Sequence, residues 1–387
     1  MTQITDIHRA ETFEPRPFIG ELESIRGLAA LLVVLFHAPG WNTGKEYIGI
    51  IQKGYLMVDL FFVISGFLIY KAYGLHLKTG ASVWRFQFLR WARLYPVHLI
   101  FLLFFLGAVA TPWQEMKTAF FEHLFLVQAI GPTGNAITLN YPAWSISVEF
   151  YTYLLFALII YWGERACSDQ SRRGRHSLVM FGLIALISWG LLFFNELHGF
   201  RDLLRCLAGF LIGCLASALS NTIRVHYKKW QCPRALAPLL FIAIGIYLEW
   251  CPSGDHVYES FIYLLTAGLI LAIEFSSASW FQKILLSRPL LWLGEISYSL
   301  YMAQLACIFL CEEFLRRLHG YSSLYRILEK TSGINLAFPS SFVDGLIKYG
   351  FFFILLLVVS SLTYYGIEKP CRELSRRWIR RPKLITP

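Results

Sequence analysis

The sequence predicts an all-α polytopic membrane protein, a bundle of about ten transmembrane helices with both termini in the cytoplasm. Two features of its composition favour this fold class. Hydrophobic residues make up 56% of the 387 residues, and the mean hydropathy is +0.51. Only 16% of residues are charged, which is too few to cover a water-soluble protein of this size. In addition, apolar stretches recur along the chain, each long enough to cross roughly 30 Å of hydrocarbon.

The apolar stretches divide the chain into a short head, a membrane domain and a tail. The first stretch begins close to Arg26 and leads into further apolar segments, so it predicts a retained first helix and not a cleaved signal peptide. We expect a cytoplasmic segment at 1–23, a ten-helix membrane domain at 24–368 and a basic cytoplasmic tail at 369–387. The predicted spans are residues 24–42, 54–72, 94–112, 144–163, 177–195, 202–220, 236–251, 258–276, 291–314 and 346–367.

The net charge of +10 supports this orientation. Most of the 35 basic residues fall in connections that are cytoplasmic if the N-terminus is inside, which is the positive-inside pattern. We therefore expect a multi-pass protein of the inner (plasma) membrane, in contact with membrane lipid and not with nucleic acid. The eight cysteines show no paired spacing, and we expect neither a disulfide nor a metal. The sequence does not indicate an oligomeric state.

Two predicted outer connections are long. Residues 113–143 include an amphipathic piece, 113–128, that we expect to lie along the membrane interface. Residues 315–345 are expected to hold one or two short helices.

The first span carries the clearest candidate for chemistry. His37 follows Arg26 by eleven residues, which is roughly 16 Å along a helix. That separation suits a long anionic cofactor, with phosphates held by the arginine and the reactive end beside a buried imidazole that accepts a proton near neutral pH. The alternatives are an imidazole that joins helices by a hydrogen bond and an arginine that flanks the membrane.

Polar residues in the second and fourth spans are further candidates. Asp59 could orient His37 or the acceptor of the reaction, and Ser65 could bind a substrate or, with Gly66, permit close helix contact. In the fourth span, the segment from Trp144 through Ser147 to Glu149 could bind a sugar or polarise an acceptor, or it could simply cap the helix.

A basic rim is predicted at the inner face. Arg90, Arg93 and Tyr95 open the third span, where phosphates could dock or where the basic residues could simply mark the headgroup region. At the end of the tenth span, Pro370 is predicted to end the helix just after Glu368.

Six motifs taken in order resemble the membrane acyltransferase 3 family. They span residue 21 to about 372 of the chain, and any one of them alone is weak. The motifs are Arg26 to His37, Gly54 to Phe67, Arg90-x-x-Arg93-x-Tyr95-Pro96, Trp144-Ser-Ile-Ser-Val-Glu149, Gly294-x-Ile-Ser-Tyr-Ser-Leu-Tyr301 and Glu368-x-Pro370.

The resemblance implies a ten-helix core, a cytoplasmic acyl-CoA donor, usually acetyl-CoA, and O-acylation of a surface polysaccharide, a lipopolysaccharide or another glycan or lipid-linked glycan outside. It makes His37 the catalytic histidine, Arg26 and Arg93 candidates for the CoA side, and Glu149 an acceptor or catalytic residue. One departure is Gln304, which stands where relatives often have histidine, so a role for an ionisable imidazole at that position is in doubt.

The working hypothesis is transfer inside one dry cleft. CoA phosphates dock on the arginines, Tyr95 borders their site, and His37, oriented by Asp59 or Glu149, takes the proton of an incoming hydroxyl. We expect the acceptor to be bound by Trp144 and Ser147, from the polar start of the fourth span, and by Ser65 of the second span. A covalent acyl-histidine intermediate is equally compatible. The rival predictions are a transporter or flippase for a glycan or lipid-linked intermediate and a non-catalytic scaffold.

Overall fold

The computed structural model describes residues 19–320 and 342–380, except for 42, 75, 109–111, 132–138, 167–169, 195–198, 228, 253, 255 and 278. Nearly every element in these residues is a helix. In chain order the helices are α1 Gly20–His37, α2 Gly49–Gln52, α3 Met57–Tyr73, α4 Gly80–Ala108, α5 Trp113–Leu124, α6 Trp144–Ala166, α7 Gln170–Leu191, α8 Arg201–His226, α9 Leu236–Trp250, α10 His256–Glu259, α11 Ile262–Phe275, α12 Trp280–Leu285, α13 Arg288–Glu295, α14 Ser297–Gly320, α15 Phe342–Thr363 and α16 Lys369–Arg380.

Eight helices within the described residues are long and apolar enough to cross a membrane. They are Gly54–Tyr73, Gly80–Ala108, Tyr141–Arg165, Gly174–Leu191, Arg201–His226, Val257–Phe275, Ser297–Arg317 and Gly345–Ile379. The seventh predicted span is a shorter apolar helix, Leu236–Trp250, and the first is the 18-residue α1. The all-α membrane bundle is thus confirmed, while the count of ten and the cytoplasmic location of both termini stay predictions, as do the three domain boundaries.

Helix α1 ends at His37, before the predicted end of the first span at residue 42. The cause is Pro39, whose ring disfavours the helical conformation of the residue before it. Ala38 accordingly has φ −59° and ψ 140°. His37 therefore occupies the last position of the helix and not its interior.

Two further spans differ from prediction. Helix α4 begins at Gly80, well before the predicted start at 94, and it continues through Pro96, so that Arg90 and Arg93 lie inside the helix and do not open it. The ninth predicted span, 291–314, is divided between α13 and α14 at Ile296.

The prediction that Pro370 ends the last helix is wrong. The chain forms a π-helical turn at Tyr364–Glu368 and continues as α16. A π turn widens the helix and shifts the hydrogen-bond pattern, which relieves the clash between a proline ring and the preceding turn. Much of the predicted tail is therefore helical, and 381–387 lie outside the described residues.

The helices cross closely where glycines face backbone. An added Cβ on Gly66 of α3 would lie 1.8 Å from the carbonyl oxygen of Phe210, and one on Gly213 of α8 would lie 2.1 Å from that of Val63. Side chains at these glycines would force α3 and α8 apart, so Gly66 serves the close helix contact expected from the sequence. This crossing and the packing of α1, α4, α6 and α14 around it position the cavity described below.

The long connections are partly helical. The amphipathic piece predicted at 113–128 is the helix Trp113–Leu124, and its location at the membrane interface stays a prediction. In the second connection α14 extends to Gly320, and the short helices predicted within 315–345 fall largely outside the described residues.

Candidate active site

A cavity opens among α1, α3, α4, α6 and α14, and we call it the central cavity. It holds about 770 Å³ of empty space, counting its opening. Its polar lining consists of Glu23, Arg26, Ser65, Arg93, Ser145, Glu149, Tyr153, Ser297, Tyr298 and Tyr301. Of the predicted site residues, the cavity thus brings together Arg26, Arg93, Ser65 and Glu149.

One end of the central cavity is basic. Arg26 donates from Nη1 to Oε2 of Glu23 at 3.0 Å, one helical turn earlier on α1. Arg93 comes from α4, and its main acidic neighbours are Glu368, Glu23 and Glu149. The Nε atom of Arg93 is buried, and no described residue accepts a hydrogen bond from it, so it is a candidate donor for a ligand beside the cavity.

Further along the cavity, three residues form a hydrogen-bonded cluster. The hydroxyl of Ser65 donates to Oε1 of Glu149 at 2.7 Å, and the hydroxyl of Tyr153 donates to the same oxygen. Glu149 is only half-buried, and its second carboxylate oxygen is not used by these two bonds. The carboxylate is therefore fixed in place with one oxygen left for other contacts. Tyr153 was not predicted from the sequence because a tyrosine in an apolar helix is usually a packing residue.

Arg90 is buried beside the cavity and does not line it. It is 3% exposed, and its guanidinium lies 5.6 to 5.9 Å from the ring centres of Tyr73, Phe86 and Tyr153. Its Nε and Nη1 atoms have no hydrogen-bond partner in the described part of the chain. Tyr95, predicted beside the two arginines, instead donates to the carbonyl of Leu124 at 3.0 Å.

His37 lies at the opposite end of α1 from Arg26. Its Nδ1 is 2.9 Å from the carbonyl oxygen of Val33, and because a carbonyl only accepts, Nδ1 carries the proton. Nε2 of the neutral ring is therefore the basic nitrogen, and none of the residues that the structure describes forms a hydrogen bond with it. The residue is half-buried, with the ring of Tyr141 5.7 Å away. His37 is not among the residues that line the central cavity.

Gln304 of α14 interacts with the His37 side chain. Its amide nitrogen donates to the carbonyl of Tyr301 at 2.9 Å, while its Oε1 accepts no hydrogen bond from any residue within the described ranges. Tyr301 lines the central cavity. The residue that departs from the family pattern is thus a neighbour of the predicted catalytic histidine and also contacts the cavity wall.

Lys45 holds the end of α1 that carries His37. Its ammonium donates to the carbonyl oxygens of Leu35 and Phe36, each at 3.0 Å, and to that of Ala38. A cation at this position satisfies the last carbonyls of the helix and complements its dipole. Burial lowers the pKa of Lys45, and the neighbouring Glu46 partly offsets this. A lysine shortly after a helix end is a weak signal of this contact in the sequence.

Asp59 and Trp144 belong to a different cluster. Arg205 of α8 donates from Nη2 to Oδ2 of Asp59 at 2.6 Å and from Nε to Oδ1 at 3.2 Å. Its guanidinium also lies 4.9 Å from the ring centre of Trp144, and Tyr263 donates to Oδ1 of Asp59 at 3.3 Å. Both oxygens of Asp59 are therefore used by partners other than His37. Arg205 was detectable as a charged residue inside a predicted span.

Ser147 fixes a connection and does not line the cavity. Its hydroxyl donates to the carbonyl of Leu126 at 2.6 Å and accepts from the amide of Ala129 at 3.3 Å. Its neighbour Ser145 does line the cavity and contacts the hydroxyl of Tyr301 at 2.9 Å.

Comparison with known proteins gives a family match over most of the chain. The sequence model of a family described as an acyltransferase domain matches residues 19–365. The chain is 25% identical to a putative acetyltransferase, ORF330, of Acidianus two-tailed virus over 321 residues, which cover 79% of this chain and 85% of that protein.

Two further relatives are of bacterial origin. The chain is 26% identical over 329 residues to the O-acetyltransferase OatA of Staphylococcus aureus strain NCTC 8325 / PS 47, covering 77% of this chain but only 52% of OatA. It is 34% identical over 171 residues to a protein in the picA locus of Rhizobium radiobacter, covering 39% of this chain and 85% of that protein. None of the solved protein structures matches the chain at a significant level.

Proposed function

The chain belongs to this acyltransferase family and is an O-acyltransferase of the membrane, and from that premise we propose that it moves an acetyl group from cytoplasmic acetyl-CoA to a glycan hydroxyl outside. The acceptor we propose is a surface or exported polysaccharide, free or lipid-linked. The membrane is the inner (plasma) membrane. Support comes from the acetyltransferase names of the relatives and from the arrangement of the site.

The observation that carries the proposal is the placement of a phosphate-binding residue and a basic residue at opposite ends of α1. Arg26 lies in the basic end of the central cavity, and His37 ends the same helix about 16 Å further on. The His37 ring has one nitrogen hydrogen-bonded to Val33 and its basic nitrogen free. This arrangement suits a donor held by its phosphates at one end while its thioester reaches toward the other.

The donor arm would follow the polar side of the cavity. Arg26 and Arg93 bind the diphosphate of CoA, since guanidinium groups bind phosphate oxygens in pairs of hydrogen bonds. The free oxygen of Glu149 and the hydroxyl of Tyr153 contact the amide groups of the pantetheine arm. Tyr301 lines the cavity, and its carbonyl accepts a hydrogen bond from Gln304, the neighbour of His37.

In the transfer step, Nε2 of His37 takes the proton of the acceptor hydroxyl as its oxygen attacks the thioester carbonyl carbon. A bond forms between oxygen and carbon, and collapse of the tetrahedral intermediate breaks the carbon–sulfur bond. The proton on His37 passes to the departing thiolate, so that CoA leaves as the thiol and the ring is neutral again.

The test is the acetyl content of surface glycans in cells that carry a His37→Ala or His37→Gln chain. We expect a loss of roughly 100- to 10,000-fold in the rate of acetylation, the range typical for removing a general base. Mass spectrometry of the glycans measures it, with membrane extraction of the variant protein as the control for insertion. Acetylation at the wild-type level by a normally inserted variant would refute the assignment.

A further inference from the structure

The last helix, α16, packs along α4 at the basic end of the molecule. The rings of Phe88 in α4 and Trp378 in α16 are 5.1 Å apart. Helix α16 contributes Arg372 and Arg376, and the π turn at Tyr364–Glu368 aligns it with α4. This packing places Arg372 and Arg376, which belong to the predicted tail, near the arginines of α4.

The guanidinium groups in this region have hydrogen-bond donors to spare. Within the part of the chain that the structure describes, Arg90 has two buried nitrogen atoms, Nε and Nη1, without a hydrogen-bond partner. The same holds there for the Nε atoms of Arg93 and Arg372. Arg372 donates from Nη2 to the hydroxyl of Tyr364 at 3.5 Å. A buried donor without an acceptor is costly, and four such atoms in one region indicate that an acceptor-rich group binds there.

The charged groups around α4 and α16 also favour an anionic ligand, because the arginines outnumber the carboxylates. The main electrostatic neighbours of Arg376 are Arg372, Arg90 and Arg93, together with the hydroxyl of Tyr73. Arg93 has Glu23 and Glu149 as acidic neighbours toward the central cavity and Glu368 of the π turn toward α16, and Glu368 also lies near Arg372. Four arginines therefore share Glu368 on the side toward α16, and the net charge there is positive. Like charges at short range in a partly buried site favour binding of an anion.

We propose that α4 and α16 form a phosphate-binding site, in which Arg90, Arg372 and Arg376 hold the ribose 3′-phosphate of the CoA donor. The site adjoins the central cavity through Arg93, which lines it. Because Arg376 is exposed while Arg93 faces the cavity, the phosphate most remote from the thioester fits α16 and the diphosphate fits Arg93 and Arg26. This inference rests on the proposed use of acyl-CoA, and it adds that the C-terminal helix selects the 3′-phosphorylated form.

The experiment compares the binding of CoA and of 3′-dephospho-CoA to the full chain in phosphatidylcholine nanodiscs by calorimetry. Binding of CoA does not require the unknown acceptor. We expect the wild-type chain to bind CoA roughly tenfold more tightly than 3′-dephospho-CoA, since the lost phosphate removes charge-assisted hydrogen bonds. In Arg376→Gln this difference should largely vanish, because CoA binds more weakly while 3′-dephospho-CoA binds as before. Arg376→Lys should restore part of it.

The matched control is Arg377→Gln, which removes the same charge from the next position of the same helix. It should keep the wild-type preference for CoA. Equal losses in the two variants would mean a general effect of surface charge and would overturn the proposal. An unchanged preference in Arg376→Gln would overturn it as well.

The wild-type binding data also test the 3′-phosphate site separately from its premise, the use of acyl-CoA as donor. If the wild-type chain binds both nucleotides equally well, the 3′-phosphate site is refuted while the proposed donor stands. If it binds neither, the proposed donor fails too.

An anionic lipid headgroup shares the phosphate chemistry. If Arg376→Gln loses bound phosphatidylglycerol in native mass spectrometry while its CoA affinity is unchanged, the site belongs to lipid and the proposal is overturned.

Discussion

Two buried arginines, Arg205 and Arg90, show opposite ways of placing a charge inside a membrane bundle. Arg205 has both oxygens of Asp59 as partners, at 2.6 and 3.2 Å. Arg90 lies among three aromatic rings, and two of its nitrogen atoms have no hydrogen-bond partner among the residues that the structure describes. A charge paired within the protein can join helices, whereas buried donors without an acceptor are available to a ligand. From this contrast we expect Asp59 and Arg205 to serve the scaffold and Arg90 to serve ligand binding.

The largest expected effect comes from breaking the paired arginine. Arg205→Met leaves the Asp59 carboxylate buried without its cation, which typically costs about 3 to 5 kcal/mol of folding free energy. We expect strongly reduced thermal stability in detergent, measured by the loss of monodisperse protein on heating. The double variant Asp59→Leu/Arg205→Met should regain most of that stability. If the single variant is as stable as wild type, the pair is not structural.

The same contrast applies within the His37 ring, where Nδ1 is paired and Nε2 is free. Once Nε2 takes a proton, the free Oε1 of Gln304 is suited to accept a hydrogen bond from it, worth about 1.5 to 3 kcal/mol for a charged partner. We therefore expect Gln304→Leu to lower kcat by at least roughly tenfold with little change in KM for the acyl donor. A rise in KM at unchanged kcat would instead indicate a role in binding.

Arg90→Met should separate ligand binding from stability. The variant removes buried donors that lack acceptors, so we expect thermal stability equal to or above wild type. Affinity for CoA should fall roughly tenfold, about 1.4 kcal/mol. Calorimetry on the sample used for the melting curve measures both. A clear loss of stability with unchanged CoA affinity would place Arg90 in the scaffold with Arg205.

The smallest expected effect is at Ser147, a paired group with no free atom toward the cavity. Ser147→Ala removes its hydrogen bonds to Leu126 and Ala129, and we expect a stability loss of about 1 kcal/mol. CoA affinity and kcat should stay at wild-type values. A change in kcat without a change in melting temperature would return Ser147 to the acceptor site predicted from the sequence.

Long apolar runs made the helices predictable. The effect of a proline on the residue before it would have placed some helix ends more accurately. The end of α1 at His37 follows from Pro39, and the spacing of Arg26 and His37 is set by one helix. The turn before Pro370 was not predictable, because a π turn depends on the packing around it and leaves little trace in composition.

Contacts between helices account for most of what the sequence did not predict. Asp59 pairs with Arg205, a residue 146 positions away. Hydrophobic periodicity does not show which helix faces meet, because lipid and protein neighbours are both apolar. For the same reason Ser65, Glu149 and Tyr153 could be named only singly or not at all. Tyr95 and Ser147 have the residue types of a binding site, but in the structure they bond to nearby backbone carbonyls.

The central claim is that Nε2 of His37 serves as the base for transfer from acetyl-CoA. The most direct measurement supplies ¹³C-acetyl-CoA to the cytoplasmic face of inside-out membrane vesicles and follows the label in the enclosed glycan. We predict that wild-type vesicles transfer the label and that His37→Gln vesicles do not, although the variant binds CoA with wild-type affinity. Transfer of the label by His37→Gln at a rate near wild type would contradict the account.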